Sequence, residues 1–231
     1  MGCAAGEKQA RRLIVAIDGP AGVGKSTVAR FLASRLGYLY LDTGALYRAM
    51  AWAVIESGRD PADAEAVAAL LPTLSLQMQF HQGTATVLVD GKDVTGDLRT
   101  PAVSAAASVV SANHAVRVWL LPIQRQIGQD GAVVAEGRDM GTKVFPAADV
   151  KFFLDADPTV RAQRRHRELV AAGHFRALEE TTADLAGRDI RDRSRSIAPL
   201  VPAEDARFID TSTLSVSEVV DQMMGVIAAR L

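Results

Sequence analysis

Cysteine is nearly absent from this chain of 231 residues. The single copy, Cys3, excludes an internal disulfide and points to a reducing, cytoplasmic setting. A surplus of either charge is also missing: 26 lysines and arginines face 27 aspartates and glutamates, a formal net charge of -1. Binding a phosphate polymer requires a basic excess, so a generic nucleic-acid binder is excluded. No apolar run approaches the roughly 18 residues a membrane helix needs. Glu7, Lys8, Arg11 and Arg12 interrupt the N-terminus before any signal-peptide core begins. Met1-Gly2 invites a lipidation reading, but Gly6 stands where that motif needs serine or threonine. His81, His114, His166 and His174 have no metal-ligand spacing. No extended apolar heptad calls for obligate dimerisation, so a monomer is expected.

What is present is an ordinary globular composition, with 48% hydrophobic and 23% charged residues. The length suits one domain with a modest insertion. Residues 1–12 read as a loose leader, and the domain as 13–231. Leu13 to Ile17 is a continuous apolar run ending in the turn signal Asp18-Gly19-Pro20, which predicts a buried strand. Val28, Phe31, Leu32 and Leu36 recur at helical spacing up to Gly37. A strand over 38–41 and a helix running to Gly58 follow. From 73 to 97 the texture changes to alternation, with turns at Gln82-Gly83 and Asp90-Gly91; this predicts a small antiparallel β insertion. Residues 101–129 read as helix, with a kink or break expected at Pro122. Strands at 132–135, 150–154 and 206–209 alternate with helices at 159–172, 178–195 and 216–231. Such alternation predicts an α/β fold with a parallel sheet covered on both faces. Trp52, Trp119 and the methionines read as core.

The chemistry is announced by Gly19-Pro20-Ala21-Gly22-Val23-Gly24-Lys25-Ser26, a full G-x-x-x-x-G-K-[ST] phosphate loop. Its glycines let the backbone turn N–H groups toward an anion, and the following helix points its positive end at the same place. Lys25 is expected to reach the β- and γ-phosphates of ATP. Ser26 is the expected Mg²⁺ ligand, and Thr27 adds a donor. Three classes share such a loop. A GTPase needs an N-K-x-D segment, yet the sole asparagine, Asn113, is followed by His114. A transporter ATPase needs a Ser-Gly-Gly signature helix, which is missing. A self-contained small-molecule kinase remains.

Further motifs sharpen this. Asp18-Gly19-Pro20, Leu41 to Arg48 (LDTGALYR), Glu136 to Thr142 (EGRDMGT), Arg188 to Arg195 (RDIRDRSR) and Pro199 to Pro202 resemble bacterial cytidylate kinase in order and spacing, over nearly the whole chain. The resemblance implies a phosphate-loop core with a helical lid at about 161–195, a monophosphate-side insertion at 73–97, and ATP with Mg²⁺ phosphorylating CMP and dCMP. Where some relatives carry serine, this chain has Thr43, whose hydroxyl serves equally. The resemblance further implies that Thr43, Arg117, Asp139 and Arg195 contact the base and that Arg48, beside Tyr47, binds the CMP phosphate. Arg188 and Asp192 would meet the sugar with Ser108 nearby. Lys25, Arg138, Arg188 and Arg191 would surround the transferring phosphoryl group. A dianionic acceptor phosphate is already a nucleophile, so positioning and charge neutralisation are the work required. Glu136 is a further candidate near the metal. Arg161, Arg164, Arg165 and Arg167 form a second basic cluster to which no individual roles attach.

Overall fold

The structure is a computed structural model that describes residues 12–81 and 84–231. The leader reading for 1–11 and the turn at Gln82-Gly83 lie outside the described residues. The first apolar run forms β1 (Ile14–Asp18), followed by α1 (Lys25–Leu36), β2 (Leu39–Asp42) and α2 (Thr43–Glu56). A short α3 (Ala64–Leu70) precedes β3 (Leu76–His81), β4 (Thr84–Val89) and β5 (Lys92–Asp93). The chain continues through α4 (Pro101–Val110), α5 (His114–Gly128), β6 (Val133–Gly137), β7 (Val150–Asp155) and α6 (Pro158–Ala171). It ends with α7 (Leu178–Ser194), β8 (Arg207–Asp210) and α8 (Val216–Ala228).

The main sheet is parallel, with strand order β2-β6-β1-β7-β8. Its centre is covered on both faces, which is why β1 and β6 read as unbroken apolar runs rather than as alternation. Val15 and Ile17 pack with Val28 and Leu32 of α1 and with Val220 and Met223 of α8. Ala16, Val133 and Ala135 face Val144 and Phe145 on the other side. The strands β3, β4 and β5 make a separate antiparallel sheet, as the alternation predicts. Leu76, Val87 and Val89 turn its apolar face onto α2 and α4. Among the described residues no helix is long and apolar enough to cross a membrane.

Two expectations shift. The helical stretch at 101–129 does not break at Pro122. It breaks at 111–113, where the Asn113 side chain accepts from the Ala115 N–H at 2.9 Å and starts α5. Pro122 stays inside α5. The residue four positions back, Val118, is on the solvent face, where water can serve the carbonyl that proline leaves without a donor. Pro122→Ala should therefore raise the unfolding free energy by about 1–2 kcal/mol in a urea titration, the helix gain being partly offset by a freer unfolded chain. The second shift is α3, where sequence reading assigned no helix; Asp63 caps it, accepting from the Glu65 and Ala66 N–H groups.

Candidate active site

The site begins with strand register. At the carboxyl edge of the sheet Asp18 of β1 lies opposite Gly137 of β6, and Asp42 of β2 opposite Glu136. The segments leaving these three strands therefore open on one crevice. They are the phosphate loop, the Thr43-to-Arg48 turn of α2, and Arg138-Asp139.

Gly19 to Gly24 wrap from β1 into α1. A Cβ on Gly19, at φ +151, would stand 2.2 Å from the Leu154 carbonyl oxygen, and one on Gly22, at φ +76, would stand 2.9 Å from that of Arg161. Glycine alone lets the loop pass that close to two backbones. Lys25 is buried, and its Nζ donates to the Pro20 carbonyl at 2.6 Å. Burial, reinforced by the neighbouring charge of Arg138, pulls its pKa down to about 7. A bound polyphosphate would reverse that bias. Ser26 and Thr27 line the same cavity, and the Ser26 hydroxyl is hydrogen-bonded to the Glu136 carboxylate. Tyr40 donates to Glu136 Oε1 at 2.7 Å. Burial first, and the charge of Asp42 second, push Glu136 upward. Two carboxylates and a hydroxyl beside a phosphate loop are hard oxygen donors, the chemistry that suits Mg²⁺. Among the described residues no group of three or more His, Cys, Asp or Glu forms a metal cage.

The cavity of about 440 Å³ extends from the loop to a polar end built by α2, α5 and the β6 turn. Thr43 is buried and donates to the Glu136 carbonyl at 2.7 Å. Arg117 Nη2 pairs with Asp139 Oδ1 at 3.2 Å, and its Nη1 donates to the Tyr47 hydroxyl at 2.7 Å. Burial raises the Asp139 carboxyl against the opposing pull of Arg117 and Arg195. Arg138 donates to Asp192 Oδ2 at 2.9 Å, with Arg195 3.5 Å from the other oxygen. Burial alone would raise Asp192, but Arg138, Arg188 and Arg195 hold it below the usual carboxylate range. Arg48 is pinned to Asp42, the cap of α2, at 2.7 Å.

Four of these arginines carry a buried N–H with no acceptor: Arg48 Nε, Arg117 Nε, Arg188 Nε and Arg195 Nη2. Buried donors are normally paired, and guanidinium offers nothing but donors. Their concentration around one cavity points to an acceptor-rich anion. Burial and the adjacent Arg138 also lower Arg188 to about 10, against the opposing pull of Asp192.

Most of the expected residues thus converge, with one correction. Arg191 and Ser108 do not line this cavity. Arg191 lies on the exposed side of α7, and its Nε donates to the buried Ser108 hydroxyl at 3.1 Å. This bond joins α7 to α4. The helical spacing that linked Arg191 to Arg188 and Arg195 could not reveal which of them turns inward.

Sequence reasoning also missed a second cavity of about 550 Å³ on the other flank of the loop, lined by Val23, Thr27, Arg164, Arg167, Thr211 and Leu214. Arg164 donates to Thr211 Oγ1 at 3.0 Å and to its carbonyl at 2.6 Å, while the Thr211 hydroxyl donates to the Val23 carbonyl at 3.1 Å. Arg161 donates to the Ala21 carbonyl and pairs with Asp189 at 2.7 Å, tying α6 and α7 to the loop.

One loop thus serves two cavities, with an arginine-rich chamber on one flank, and this arrangement defines a phosphate-loop phosphotransferase. Comparison with known proteins narrows the class. The family model described as cytidylate kinase matches residues 15–229, and the chain belongs to that family. It is 47% identical over 220 residues to a cytidylate kinase of Geobacter sulfurreducens, covering 95% of this chain and 94% of that one. It is 46% identical to a cytidylate kinase of Syntrophotalea carbinolica at the same coverage. An uncharacterized protein from Eubacterium ventriosum shares the fold at a TM-score of 0.52 and 12% identity, over 95% of this chain and 99% of that one.

Proposed function

We propose that this chain transfers the γ-phosphoryl group of ATP to CMP or dCMP, giving CDP or dCDP and ADP. The observation that carries the reading is the buried Arg117–Asp139 pair in the lining of an arginine-rich chamber. A carboxylate accepts from the exocyclic amine of cytosine, whereas uracil offers it a carbonyl oxygen and hence two acceptors face to face. Thr43, Arg117 and Arg195 complete the base contacts. Arg48 and Arg138 take the acceptor phosphate, and Asp192 with Arg188 meets the sugar.

The acceptor phosphate is largely dianionic at neutral pH and needs no strong base. Lys25, Arg138 and Arg188 neutralise the charge that develops on the transferring group, and the loop N–H groups hold its β-side oxygens. Arg191 is left out of this set because it lies on the exposed side of α7, outside the chamber lining. Ser26 would hold Mg²⁺, with the Glu136 carboxylate behind it, and the ion would supply positive charge to the polyphosphate. The second cavity suits the base of ATP, with Arg164 and Arg167 on its α6 side.

We read residues 161–195, which take in most of α6 and all of α7, as the lid, and 73–97 as the acceptor-side insertion. A lid that covers both nucleotides excludes water and limits wasteful hydrolysis. The enzyme acts as a cytoplasmic monomer. Incubation of the purified protein with ATP, Mg²⁺ and CMP, followed by phosphorus NMR, should give CDP and ADP in equal amounts. ADP formed with inorganic phosphate in place of CDP would sink the reading.

A further inference from the structure

An aspartate at the start of a helical turn normally folds its carboxylate back onto the N–H groups two or three residues ahead. Three aspartates of this chain do so. Asp42 accepts from Ala45, Asp63 from Glu65 and Ala66, and Asp157 from Thr159 and Val160. Asp139 is the exception. It stands at the start of the turn Met140–Val144, yet its side chain makes no capping bond. The turn is wide: the Val144 N–H reaches the Asp139 carbonyl and the Phe145 N–H the Met140 carbonyl, five residues back in each case. Such turns recur at functional sites.

The capping work is done from elsewhere. Asp18, at the end of β1 and 3% exposed, accepts from Met140 N–H through Oδ1 and from Gly141 N–H through Oδ2, each at 2.8 Å. These bonds span 122 and 123 residues of sequence. With its own turn already capped, the Asp139 carboxylate is free to face Arg117 and the chamber. The strain of leaving two buried N–H groups unserved would otherwise draw Asp139 back onto them, since it is the local acceptor. Asp18 also immediately precedes Gly19, so one carboxylate fixes the base-reading turn relative to the phosphate loop.

We infer that Asp18 is a positioning residue for base recognition, holding the Met140–Gly141 turn so that the Asp139 carboxylate is released to the acceptor base. The inference rests on the reading of Asp139 given above.

The test is equilibrium binding of CMP and of UMP, without ATP, to the full chain carrying Asp18→Asn, Asp139→Asn or both. The asparagine at 18 keeps the shape but presents an amide donor to one of two N–H donors. Asp18→Asn should lower the CMP to UMP affinity ratio at least about tenfold, the scale of one mispaired buried group. Added to Asp139→Asn it should change that ratio no further. A purely structural Asp18 would weaken both ligands alike and leave the ratio intact, which overturns the inference. If Asp139→Asn itself leaves the ratio unchanged, the base-reading role fails and this inference falls with it. A measurement on the unaltered protein guards against a variant that does not fold: the Met140 and Gly141 amide protons should be among the slowest to exchange with solvent. Fast exchange there, comparable to exposed loops, would mean the Asp18 clamp does not persist in solution.

Discussion

Replacing Lys25 with methionine should reduce turnover by on the order of 10³-fold while leaving the protein folded and more heat-resistant. The loss of rate follows from position. Lys25 opens α1 beside the loop N–H groups, and among the described residues no other lysine lines the chamber. A charge supplied there in a dry site stabilises the transferring group far more than one in water. The gain in stability follows from cost. Lys25 is buried, its one hydrogen bond goes to a backbone carbonyl, and burial with Arg138 depresses its pKa from 10.5 to about 7. The folded protein therefore binds the Lys25 proton less tightly than the unfolded chain. Its wild-type penalty is complete below pH 7 and fades as pH rises from 7 towards 10.5. The advantage of Lys25→Met in thermal melts should be largest near pH 7 or below and should shrink in alkaline buffer. A variant that kept its turnover would remove the loop from the chemistry. One that melted earlier at pH 7 would mean the buried ammonium is net favourable.

Asp139→Asn should lower the ratio of CMP to UMP turnover by on the order of 10³, through a loss on CMP and a gain on UMP. An amide offers an acceptor in one orientation and a donor in the other, so it serves the cytosine amine and the uracil carbonyl about equally. The variant should also lose about 1–3 kcal/mol of stability, because Arg117 and Arg195 keep their buried charges without the carboxylate between them. Steady-state kinetics with the two acceptors measure the first effect and urea unfolding the second. Equal losses on CMP and UMP would demote Asp139 to a structural partner of Arg117.

Sequence yielded most where the physics is local. The phosphate loop is one contiguous segment, and the strand before it and helix after it were legible because burial on both faces and on one face leave different patterns. The antiparallel sheet was legible from alternation, since one face lies on α2 and α4. The helix α3 was not: in Ala64 to Leu70 only Val67 and Leu70 are buried, too few to show a period. The break at Asn113 lost to the stronger-looking signal of Pro122, because exposure of Val118 makes that proline tolerable. At the site, motif resemblance indicated which residues gather, but helical spacing could not separate Arg188, turned inward, from Arg191, turned to Ser108. Asp18 looked like a turn residue, since its partners lie more than a hundred residues away. The second cavity is assembled from the phosphate loop, α6 and the segment after β8, and no single stretch announces it.

The most direct test is a coupled ADP-release assay with ATP and Mg²⁺, offering CMP, dCMP, UMP, AMP and GMP in parallel. Strong turnover with CMP and dCMP, and little with the other three, is the predicted result. Equal turnover with UMP, or none with any acceptor, would contradict the account.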